Sequence, residues 1–430
     1  MTRSSSTIPA LMLCLLVSIA AFQPALAVLD PQQATPKLRR PWPERAAELG
    51  VQAGGVRVQS DLSPRLNQQA IRTVEQTRRA FERLFDGIPL QKPEAPWILL
   101  FEDPAEMGFV TRGDYGIKLD TEKVLFFEAP FQNRQVIVAT SQQPSGYGGD
   151  RALQRAALKQ YALPRFGDDL PAWALVGLAE YASLLQFSEG RIETGYVPPE
   201  FVQALRKAES RERLLPVKSL LTLDAESWAD FEATHGTERL TAQAWALVHF
   251  MLHGRDGSLA RPFSIWLHRT AAGTDPTTSF NEVLQIADNP AGMTQLEEAF
   301  RAYHRTLEPS SAVELREGAE FCRAVLEHLE RQQLRPSSRR MFLDELSLWG
   351  PQEVILFNKP YSRVLSKRDT EVLENLTIEF VPTRLQRKEL DRLETLPPLD
   401  LLLTDAAGKS IRVTWRFDSG ESRWVPLIEW

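Results

Sequence analysis

Two helix signals written back to back between Asp150 and Leu185 constrain this chain more than any other stretch. Asp150 is a residue suited to capping a helix start, and Arg151 to Leu163 then runs without a break to Pro164, which has no N–H to continue the ladder. After Phe166-Gly167-Asp168-Asp169 the chain restarts at Leu170-Pro171, a proline suited to a first helical turn. It continues through Trp173, Leu175, Val176, Leu178 and Tyr181 to about Leu185. Residues one turn apart share a helix face, so Arg155 neighbours Lys159 on the first helix and Val176 neighbours Glu180 on the second.

The flanking segments set the fold class. Val56-Arg57-Val58-Gln59-Ser60 alternates as a strand, and Ala70, Ile71, Val74, Phe81, Leu84 and Phe85 mark one face of a helix that Gly87 and Pro89 end. Trp97–Phe101, Val124–Phe127 and Val136–Ala139 read as strands. Gln143–Gly149 is a loop without the lysine and Ser/Thr of a phosphate-binding loop. Pro199 to about Gln332 is mostly helical, with Ala244–Leu252 its most apolar run. Val354–Phe357, Leu376–Phe380, Leu401–Leu403 and, after a turn at Gly408, Ile411–Trp415 read as strands of a final module. The expectation is an α+β protein: a small N-terminal mixed sheet with helices, a helical middle region and a C-terminal α/β or α+β module. The expected boundaries are a signal peptide over 1–27, an extended lead-in over 28–55, a first domain over 56–310 and the last module over 311–430.

Composition narrows the function classes. Arg3 precedes an apolar run from Ile8 to Ala21, and Ala25-Leu26-Ala27 supplies small residues at a cleavage site, the pattern of a secretory leader. Periplasmic or secreted localisation follows, with no transmembrane segment after its removal. Of two cysteines, Cys14 falls in the leader, so Cys322 remains alone and neither an intrachain disulfide nor a cysteine metal cluster can form. A net charge of −6 argues against nucleic acid as partner.

Leu170-Pro171-Ala172-Trp173, with Gly177-Leu178-Ala179-Glu180-Tyr181, resembles the second site helix of the peptidase MA-like (gluzincin) superfamily, closest to a bacterial branch of unknown function. There a His-Glu-x-x-His helix precedes a Pro-x-Trp-x-x-Glu-Gly-x-Ala-Glu-Tyr helix. The resemblance covers at most Val56 to about His253. It implies a zinc site with two histidines, a third-ligand glutamate, a general-base glutamate and a carboxylate that orients a ligand histidine. In this chain the histidine positions hold Arg155 and Lys159, the base position Ala156, and the third-ligand position Val176. Only the orienting carboxylate, Glu180, remains. Protonated Arg and Lys offer zinc no lone pair. A buried Glu180 without a metal nearby needs a counter-charge, and Arg155 is the expected partner.

Other residues read more simply. His249 and His253 lie four apart but lack a base and a third ligand, and fit packing and a helix end. His235 reads as a loop residue, Cys322 as small core, Asp168-Asp169 as helix-end acids, and Asn375 as a chance glycosylation triplet. The resulting expectation is an exported, non-catalytic protein with a degenerate peptidase-like fold, no metal and no cofactor, binding or scaffolding a peptide or protein partner in the cell envelope. Arg155, Lys159, Glu180 and Tyr181 are the candidate ligand-binding residues. A hydrolase acting through a site not legible in the sequence, and a purely structural envelope component, stay open.

Overall fold

The computed structural model describes residues 47–51, 56–62, 64–90, 96–117, 125–129, 134–140, 149–188, 191–286, 290–348, 352–356, 359–363, 373, 376–383, 397–418 and 423–429. The expected leader over 1–27, most of the lead-in, most of the loop at 143–149, and Asn375 lie outside the described residues.

The fold is mixed α+β. Its first layer is a five-stranded sheet in the order β1-β2-β3-β5-β4, formed by β1 (Ala47–Val51), β2 (Arg57–Ser60), β3 (Trp97–Phe101), β4 (Leu125–Ala129) and β5 (Arg134–Thr140). The central strands β2, β3 and β5 run parallel, and the two edge strands are antiparallel to their neighbours. β1 is a strand that the sequence reading did not mark. Within the extended lead-in expected over 28–55, Ala47 and Glu48 register with Ser60 and Gln59 across the sheet edge.

Successive strand residues face opposite sides, and both sides of this sheet are covered. Ile98, Leu100, Ile137 and Ala139 pack with Val74 of α1 (Pro64–Leu84) and with Leu153, Ala156 and Ala157 of α3 (Gly149–Phe166). Leu99, Phe101, Val136 and Val138 pack with Met107 and Val110 of α2 (Pro104–Tyr115). Double-sided burial is why β3 reads as the unbroken apolar run Trp-Ile-Leu-Leu-Phe. Gln160 fixes α3 against the sheet, its buried amide donating to Trp97 O at 3.2 Å and Gln135 O at 3.3 Å.

Two boundaries of α3 differ from expectation. Asp150 lies inside the first turn rather than ahead of it, and the helix passes Pro164 to Phe166. A proline so close to a helix end disturbs only the last turn, and Arg165 Nη1 donates to Tyr161 O at 2.9 Å there. Gly167, with φ +57°, then reverses the chain in the left-handed region where glycine carries no Cβ penalty.

α4 (Ala172–Ala182) follows and enters a helical core with α5 (Pro199–Glu209), α6 (Val217–Leu221), α7 (Ala225–His235), α8 (Thr237–His253), α9 (Ala260–Ala271), α10 (Pro276–Val283) and α11 (Pro290–Arg305). His235 is the last residue of α7, not a loop residue. α4 lies directly on α8: a Cβ at Gly177 would stand 2.5 Å from Ala244 O, so only glycine permits this approach. Trp173 anchors the other side of α4, stacked on Trp266 at 5.4 Å and meeting Phe280 edge-on. Between α4 and α5, β6 (Gln186–Ser188) and β7 (Arg191–Glu193) make a small hairpin.

A second core begins at Leu315 of α12 (Ser311–Arg331), which packs on the antiparallel sheet β10 (Thr377–Val381), β11 (Asp400–Thr404), β12 (Ser410–Asp418) and β13 (Arg423–Glu429), with α13 (Arg339–Leu348) beside it. β8 (Gln352–Leu356) and β9 (Lys359–Arg363) form a separate hairpin. Gly408 closes the β11–β12 connection at φ +79°, and the Asp405 carboxylate accepts from Ala407 N and Lys409 N. Cys322 is fully buried in this core. No helix among the described residues is long and apolar enough to cross a membrane.

Candidate functional site

Burial of α3 on two sides leaves one open stripe. Leu153, Ala156 and Ala157 face the sheet, and Leu158, Tyr161 and Ala162 face the helical core. Arg155 and Lys159 remain half-exposed, one turn apart. On α4, Val176 and Glu180 are likewise half-exposed and one turn apart, while Trp173, Ala174, Gly177 and Leu178 are buried.

Arg155 Nη1 donates to Glu180 Oε2 at 3.0 Å, with the Arg155 side chain 36% and the Glu180 side chain 14% exposed. This is the counter-charge expected for Glu180. The Ser183 hydroxyl donates to Glu180 O at 2.7 Å and lies 3.5 Å from Glu180 Oε2. Burial pulls the Lys159 ammonium below the ordinary lysine range; the Glu180 charge pulls it back up, Arg155 pushes it down, and Glu232 of α7 raises it. Two cations and two carboxylates thus act on one another here. Buried Gln154, donating to Leu185 O at 2.9 Å, and the Arg151–Glu200 pair at 3.1 Å hold α3 in place beside them.

The donor set does not fit zinc. The Arg155 guanidinium is committed to Glu180 and has no lone pair, and Val176 packs on the apolar core with no donor atom. Of the positions that the resemblance assigns, Glu180 alone carries a carboxylate, too few for a tetrahedral site. Ala156 points away from the stripe into the sheet-facing core. Among the described residues no group of three or more His, Cys, Asp or Glu is arranged to hold a metal ion.

Tyr181 does not join Arg155, Lys159 and Glu180. The next residue along a helix points about 100° away, and Tyr181 turns to α8, its hydroxyl 2.8 Å from His253 Nε2. Burial pushes the phenol up to about 12. His249 and His253 share a face, as their spacing predicts, with ring centroids 4.6 Å apart. His249 Nδ1 lies 2.7 Å from Tyr303 Oη and Nε2 lies 3.1 Å from Gly195 O. Burial lowers His249 to about 4 and also lowers His253. A neutral His249 facing a carbonyl carries its proton on Nε2, so Nε2–H donates to Gly195 O and Nδ1 accepts from the Tyr303 hydroxyl. Both nitrogens serve the fold. Gly195 also lies against the second ring: a Cβ there would stand 3.0 Å from His253 Cε1.

Beyond Tyr181 and His253 opens a cavity of about 640 Å³ bounded by α1, α8 and α9. Of its lining, the sequence singled out Tyr181 and His253 but not the α9 face, nor Glu232 and Tyr303 elsewhere. These residues come from segments far apart in the chain, which no local pattern joins.

No protein-family model matches this chain, and none of the curated proteins matches it.

Proposed function

We propose that this is an exported protein built on a peptidase MA-like frame whose metal chemistry has given way to an ionic cluster, and that it acts in the cell envelope by binding a peptide or protein partner. The observation that carries this reading is the 3.0 Å pair between Arg155 and Glu180. It occupies the place where the resemblance puts a metal ligand and its orienting acid. A water at this place has no Lewis acid to lower its pKa and no neighbouring base at Ala156. The frame retains what recognition needs. β4 forms an outer strand of the sheet, where an extended peptide can pair through its backbone. Arg155 and Lys159, partly exposed one turn apart on α3, offer a basic surface suited to a carboxylate on that partner.

Calorimetric titration of chelator-treated protein with zinc chloride tests the loss of the metal: no stoichiometric binding is expected, and a sub-micromolar site at one zinc per chain overturns it. The binding half is tested by retention of envelope extract on immobilised protein. A partner held by the parent chain and released by Arg155→Glu/Lys159→Glu supports it, and identical retention refutes the role of the stripe.

A further inference from the structure

The geometry points to a second binding site, for a small organic anion with an apolar body, in the cavity between α9 and the ends of α1 and α8. At about 640 Å³ it falls in the size range of small-molecule sites. Its wall is one face of α9. Ala260, Ser264, His268 and Ala272 form a row at four-residue spacing, and Arg261, Ile265 and Arg269 form the row beside it. Leu84, Leu252, Tyr181, Thr194 and His253 complete the lining.

The composition selects the ligand. The lining holds two arginines, Arg261 and Arg269, and one acid, Asp86. Arg269 shares its guanidinium with Glu282 at 2.9 Å, while Arg261, exposed on the rim, has no hydrogen bond or ion pair with another described residue. His268 Nε2 donates to Phe85 O at 2.7 Å, which fixes the ring and leaves Nδ1 for another partner. Between the two arginines Ile265 is 41% exposed, one of the few large apolar side chains left to solvent. An aliphatic or aromatic body covering Ile265, Leu84 and Leu252, with a carboxylate or sulfonate against Arg261, satisfies the apolar wall and the free cation together. Tyr181, Thr194 and His253 add neutral hydrogen-bonding groups to the lining, which suits a polar atom on the body rather than a second charge. This site shares no residue with the Arg155–Lys159–Glu180 cluster, so it stands or falls independently of the proposed function.

Titration with 1-anilinonaphthalene-8-sulfonate, read by fluorescence, tests it on the full chain. Saturable binding of one probe per chain is expected, with decanoate displacing the probe at concentrations at least about tenfold lower than decanol. Arg261→Ala/Arg269→Ala should weaken the probe about tenfold, and Ile265→Asp should weaken it further. All three positions are solvent-facing, so the far-UV circular dichroism melt of each variant should match the parent. Non-saturating fluorescence, equal displacement by decanol, or unchanged affinity in both variants whose melts match the parent would overturn the site. Should a variant melt differently, decanoate-against-decanol displacement on the parent chain decides alone.

Discussion

Removing Glu180 should cost more than removing Arg155, although the two form one pair. At 3.0 Å the attraction is about 5.5 kcal/mol in a medium of effective dielectric 20 and about 1.4 kcal/mol in water. With Arg155 a third exposed, solvent screens much of the larger value, and desolvation of Glu180 offsets more of it. A net coupling of about 1–2 kcal/mol remains. Arg155→Ala leaves Glu180 with Lys159 still acting on it, so a loss of about 1–1.5 kcal/mol is expected. Glu180→Ala removes the Arg155 bond and the largest charge supporting the half-buried Lys159 ammonium, for a loss of about 2–3 kcal/mol. The assay is urea unfolding followed by tryptophan fluorescence and far-UV circular dichroism on parent, Arg155→Ala, Glu180→Ala and the double variant. Strict additivity of the two single losses, or a larger loss from Arg155→Ala, would refute the reasoning and leave the pair as two hydrated surface charges.

Three further outcomes follow from the packing. His249 is held near 4 by burial while an unfolded histidine titrates near 6.5. Between those values the unfolded chain binds the extra proton, so stability falls as pH drops through that window, by about 3 kcal/mol from this group; urea midpoints at pH 7 and pH 4.5 in the parent and in His249→Gln should show it, and a pH-independent difference between the two would refute it. Gly177→Ala places a methyl 2.5 Å from Ala244 O, and despite alanine's better helix propensity the melting temperature should fall, the overpacking costing about 1–3 kcal/mol. Cys322, fully buried with its thiol pushed up by burial, should react with a thiol reagent only after denaturant is added; stoichiometric reaction of the native chain would contradict its placement.

Much of the architecture was legible where burial alone decides the sequence. Trp97–Phe101 is buried on both faces and reads as an unbroken strand, and α3 and α4 carry apolar residues wherever they touch a neighbour. α2 was not legible, because only part of one side is covered. Gly108 and Gly113 interrupt its pattern, and Phe109 faces solvent. β1 escaped because an edge strand needs backbone partners rather than an apolar pattern. In the site, helix periodicity placed Arg155 with Lys159, and Glu180 needed a counter-charge, so their meeting could be anticipated. The turn of Tyr181 toward His253, and the partnership of His249 with Gly195 and Tyr303, join segments far apart in the chain through tertiary packing that no local pattern records.

On the proposed reading, basic and apolar side chains stand where the resemblance would put metal donors. Rebuilding the donors tests it most directly: Arg155→His, Lys159→His and Val176→Glu together, titrated with zinc chloride by calorimetry beside the parent. One zinc per chain is expected in the triple variant and none in the parent. A folded triple variant that ignores zinc, or a parent chain that binds it stoichiometrically, would contradict that reading.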